Sequence, residues 1–71
     1  MSEKYVLRVK YPWGYQYFDP QVSKFVSHPN QVQAYIAVAE LARQIATKIN
    51  QSGVGGTAEA ILLEQAVREH K

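Results

Sequence analysis

The residues of this 71-residue chain that could move a proton, attack a carbonyl or hold a metal are few and dispersed. His28 and His70 are its two imidazoles, and it has no cysteine. Thiolate metal sites and disulfides are therefore excluded, and two histidines this far apart in sequence do not make a zinc site. Ser27 directly precedes His28. A nucleophile needs its base within hydrogen-bond reach, and neighbours at a helix start point apart. His28 thus reads as a cap or a surface residue. The carboxylates Glu3, Asp19, Glu40, Glu59, Glu64 and Glu69 are scattered, with no pairing that would set one acid against one base. Glu40 with Arg43, and Glu64 with Arg68, have the offsets of helix-surface ion pairs. Gly53-Val54-Gly55-Gly56-Thr57-Ala58 has the glycine spacing of a dinucleotide loop. It follows an expected helix, not a strand, and lacks the lysine of a P-loop, so it reads as a plain connection. No catalytic residue, metal ligand or cofactor site is expected, and the chain reads as a non-enzyme.

Recognition is the chemistry that remains. Tyr11-Pro12-Trp13-Gly14-Tyr15 has proline pre-set for a turn and glycine for a left-handed position, the pattern of a bulged three-residue hairpin loop. Pairing Tyr11 with Tyr15 then sets the register. Tyr5, Leu7, Val9, Tyr11, Tyr15 and Tyr17 share a core face, while Val6, Arg8, Lys10, Gln16 and Phe18 share an outer face that is both apolar and basic. Trp13 sits at the hairpin tip. Folding back over a helix is its first expected fate, and anchoring an interface the second. The candidate partner-binding residues are Trp13, Phe18, Val6, Arg8, Lys10, Gln16 and Lys24.

The elements that must position these residues read as an α+β fold, a small three-stranded antiparallel meander followed by two helices packed on one face, in a single domain. Alternation and turn residues place strands at about 4–11, 15–18 and 24–27. Asp19-Pro20 begins the second turn, with Ser23 where many such turns place glycine. Ser27-His28-Pro29 opens a helix expected over about 29–51, whose apolar residues Val32, Tyr35, Val38, Ala42, Ile45 and Ile49 recur at helical spacing and which Gly53 ends. A second helix is expected over about 58–69, capped by Thr57, with Arg68, His70 and Lys71 at its negative end.

Size and charge narrow the function classes. A chain this short buries about 60% of its unfolded surface, so good packing or association must make up its stability. The net charge of +2 is too mild to imply nucleic-acid binding by itself. The distribution is more telling, because Lys4, Arg8, Lys10 and Lys24 crowd the first third. No run approaches the ~20 apolar residues of a membrane span. Met1-Ser2-Glu3-Lys4 lacks signal-peptide order, so a cytoplasmic location and no membrane partner are expected.

Tyr15-Gln16-Tyr17-Phe18-Asp19-Pro20 with Lys24 resembles the middle of a WW domain, but Ser27 stands near the place of that domain's second tryptophan, which confines the resemblance to a turn. Pro12-Trp13-Gly14, Asp19-Pro20 and Phe25 through Ala34-Tyr35 with Ala39 are similar in order to the ethylene-response-factor type of DNA-binding domain. That resemblance would put Arg8, Lys10, Gln16 and Lys24 on a groove-reading sheet. The segments between landmarks are shorter than in that family, and its dense arginines are absent. The leading expectation is a non-enzymatic protein-binding module, an adaptor or inhibitor of the size of phage-encoded anti-defence proteins. Its alternatives are a nucleic-acid-binding protein using the basic sheet face and a structural subunit of a homo-oligomer.

Overall fold

The computed structural model describes residues 3–70. The expectations for Met1, Ser2 and Lys71 fall outside that range. The chain forms β1 (Tyr5–Tyr11), β2 (Gly14–Asp19), β3 (Lys24–Val26), a 3-10 turn (Pro29–Gln31), α1 (Ala39–Gln51), β4 (Thr57–Leu62) and α2 (Leu63–Glu69). The fold is α+β: an antiparallel sheet of four strands in the order β3-β2-β1-β4, with two helices. The meander of the first three strands is present, and a fourth strand joins it along β1.

That fourth strand replaces the first half of the expected second helix. Thr57-Ala58-Glu59-Ala60-Ile61-Leu62 contains good helix formers, but β1 needs a neighbour on each side. Val6, Leu7 and Val9 are buried on alternating faces, as in a central strand. β4 supplies the second neighbour, pairing Lys10 with Thr57 through Tyr5 with Leu62. Tertiary pairing outweighs intrinsic propensity here. Only Leu63–Glu69 turns helical.

The long first helix is also shortened. Its N-terminal portion becomes the 3-10 turn and an extended crossing segment. His28 caps the turn, its Nδ1 accepting from the Asn30 N–H while the Gln31 side chain accepts from the His28 N–H. Ile36 then lies beside Tyr5, exchanging backbone hydrogen bonds of 2.8 and 3.1 Å where β2 has already ended. Burying Ile36 and Val32 in two different clusters holds this segment extended.

The hairpin register differs from the expected one by a single residue. Tyr11 pairs with Gly14, not Tyr15, so Pro12 and Trp13 alone form the loop and Gly14, at φ +150°, is the first residue of β2. A one-residue slip moves every β2 side chain to the opposite face. Leu7 and Val9 therefore stand beside Phe18 and Gln16, and Arg8 stands beside Tyr17.

Both sheet faces are covered, by one helix each. Leu7, Val9 and Ala58 pack with Ile36 and with Ala42, Ala46 and Ile49 of α1. Val6, Tyr17 and Ile61 pack with Val32 and with Ala66 of α2. The outer edge of β4 is partly closed by a side chain. Asn50, near the end of α1, donates to the Ala58 carbonyl at 3.1 Å and accepts from the Ala58 N–H at 2.7 Å, replacing the peptide of a missing strand. Asn50→Ala is expected to cost about 1–2 kcal/mol, the worth of two hydrogen bonds to backbone left without partners. Urea unfolding of the two proteins measures it. Among the described residues no helix is long and apolar enough to cross a membrane.

Candidate functional site

The site is built at the hairpin tip. Pro12 fixes the loop entry, and Trp13 projects from it with 70% of its surface exposed. The indole is not buried against a helix, the fate first expected of it. It stacks on Tyr11, with ring centroids 4.5 Å apart and planes within 8°. Tyr11 in turn rests against Gly56, where an added Cβ would lie 2.9 Å from two ring carbons and 2.7 Å from the Lys10 carbonyl oxygen. The absence of a side chain at Gly56 is what lets Tyr11 sit flat, and Tyr11 holds Trp13. Gly56→Ala is expected to cost about 1–3 kcal/mol through overpacking. It should also loosen the stack, which appears as a fall in the fluorescence anisotropy of Trp13, the sole tryptophan.

Beside the tip lies a solvent-open cleft of about 470 Å³, lined by Trp13, Gly14, Tyr15, Glu69 and His70. Two of its lining residues, Glu69 and Tyr15, are held by Arg8. Arg8 donates from Nη1 to Glu69 at 2.8 Å and from Nη2 to Glu59, and its guanidinium lies 4.6 Å from the Tyr15 ring centroid. Burial would lower the Arg8 pKa, but the bonds to Glu69 and Glu59 outweigh it and raise the value. The Arg8 bond, with help from Gln65, holds the Glu69 carboxyl below its usual range. Behind the cleft, the Tyr17 hydroxyl lies 3.1 Å from His70 Nδ1, and burial pushes the Tyr17 pKa up. The His70 ring meets His28 edge-on at 4.4 Å, tying the end of α2 to the 3-10 turn.

The expected outer face is thus the face under α2. Val6 is 2% exposed and Arg8 7%, so neither is presented to a partner. Lys10 and Lys24 share that face and remain exposed. Gln16 and Phe18 are on the opposite face because of the register slip, half-buried, with Phe18 meeting Phe25 edge-on at 5.3 Å. Of the seven expected partner-binding residues, Trp13 alone lines the cleft. Tyr15, Glu69 and His70 were missed. Glu69 and His70 reach the tip only because β4 runs away from it, from Thr57 beside Lys10 to Leu62 beside Tyr5, and α2 then returns toward it, which no local pattern signals. Arg8 and its two glutamates are the ion pairs among the described residues, in place of the expected Glu40–Arg43 and Glu64–Arg68 pairs.

Among the described residues no group of three or more His, Asp and Glu side chains is placed to hold a metal ion. No family model matches the chain, and neither a curated protein nor a solved structure matches it.

Proposed function

We propose that this chain is a small non-enzymatic protein-binding module, acting as an adaptor or inhibitor, that docks through its hairpin tip. One observation carries the reading: Trp13 is largely exposed yet held flat on Tyr11, beside a cleft. A large rigid ring presented at low conformational cost is the character of an interface hot spot. The paired Arg8 favours this reading over a nucleic-acid one, since the central cation of the sheet face is already bonded to two carboxylates.

The test uses immobilised full-length chain, wild type and Trp13→Ala, presented to native lysate of the source cells. The captured protein is identified, purified and titrated back. The expected result is an affinity loss of about 30-fold or more for Trp13→Ala, the effect of a hot-spot truncation. Trp13 emission should also shift to shorter wavelength on binding. A purified partner that holds both forms equally overturns the proposal.

A further inference from the structure

Resting on that reading, we propose that the tip cleft receives a guanidinium, the side chain of an arginine on the partner protein. Glu69 is the carboxylate lining the cleft, and the bond that Arg8 donates to it at 2.8 Å favours its charged form. One of its oxygens accepts from Arg8 and the other from Gln65, so each retains a lone pair on an exposed residue. Two carboxylates face one guanidinium in the cluster, leaving one negative charge in surplus. Trp13 and Tyr15 also line the cleft, and an indole face is the strongest of the cation-binding rings.

The molecule already shows this recognition once, from the inside. Arg8 lies over the Tyr15 ring while bonding Glu69. A second guanidinium entering from solvent repeats the arrangement with Trp13 as its ring and the free lone pairs of Glu69 as its acceptors. A planar fork lies flat on a ring while its edge offers a carboxylate two parallel donors, a geometry that an ammonium lacks, so arginine is favoured over lysine. Two other cations are close along the chain. Lys10 pairs with Tyr15 across the hairpin, and Arg68 precedes Glu69. Neither lines the cleft.

Acetyl-arginine amide is the probe, titrated into the full chain and followed by Trp13 fluorescence and by amide NMR shifts. A saturable response at residues 13–15 and 69–70 is expected, with a dissociation constant on the order of 10 mM for one isolated side chain. Acetyl-lysine amide should bind several-fold more weakly, and acetyl-glutamate amide should not bind. Glu69→Gln should weaken the arginine response at least about 5-fold, a coupling of the size found for charge-assisted contacts. Glu59 still pairs with Arg8 in that variant, and circular dichroism checks that it folds. Absence of a saturable response, equal binding of the glutamate probe, or an unchanged response in Glu69→Gln each overturns the arginine assignment. Trp13→Ala separates the two levels of the argument. A purified partner lost by Trp13→Ala but fully kept by Glu69→Gln leaves the tip as the docking point and removes arginine as its ligand.

Discussion

Asp19→Ala is expected to lower stability by about 3 kcal/mol, the loss of both hydrogen bonds that a buried side chain accepts from the backbone. The Asp19 side chain is 1% exposed, at the end of β2. Its Oδ1 accepts from the Gln21 N–H at 3.0 Å, which shapes the β2–β3 turn. Its Oδ2 accepts from the Gln33 N–H at 2.9 Å, which fastens the crossing segment. That segment carries Val32 into the cluster under α2 and Ile36 into the cluster under α1. Losing the carboxylate therefore loosens both sides of the sheet. For a domain of this size the melting temperature should fall by about 15 °C. Asp19→Asn keeps one acceptor and should lose about half as much. A melting temperature for Asp19→Ala within about 3 °C of wild type would mean that the crossing segment is held by apolar contacts alone.

Arg8 gives the second large effect, and its size depends on what replaces it. Arg8→Ala removes the cation between Glu59 and Glu69, and with it the guanidinium that lies over the Tyr15 ring. The expected cost is about 2–3 kcal/mol. Arg8→Met restores most of the packing with no charge to desolvate, and should come within about 1 kcal/mol of wild type. The buried Arg8 Nε, which has no hydrogen-bond partner, adds to the burden that Met would remove.

Acid separates the same two proteins. Arg8 depresses the folded-state pKa of Glu69. The associated stability is present above the unfolded carboxyl value, near pH 4.3, and is lost as pH falls through the lower folded value. Wild type should therefore lose more stability between about pH 5 and pH 3 than Arg8→Met does. Urea midpoints at the two pH values measure the difference. Equal losses would show that the Glu69 bond to Arg8 does not contribute to folding.

Local chemistry alone determined a good deal of this protein. Alternation from Tyr5 to Tyr11 marked β1, Pro12-Trp13-Gly14 marked the bend, Asp19-Pro20 marked the next turn, and Gly53 marked the end of α1 with its φ of +75°. Each is a short-range constraint in which a residue's own backbone preference or side-chain period suffices. Tertiary structure decided the rest. The same loop residues suit a two- or a three-residue hairpin, and burial on both faces chose the shorter one, turning Tyr15 and Tyr17 toward α2. Thr57–Leu62 has the composition of a helix and became a strand because β1 lacked a second neighbour. Arg8 looked like a surface charge until β4 and α2 brought Glu59 and Glu69 to it across 51 and 61 residues. Non-local pairing of this kind leaves no periodic trace in a single sequence, and it is what assembled the cleft beside Trp13.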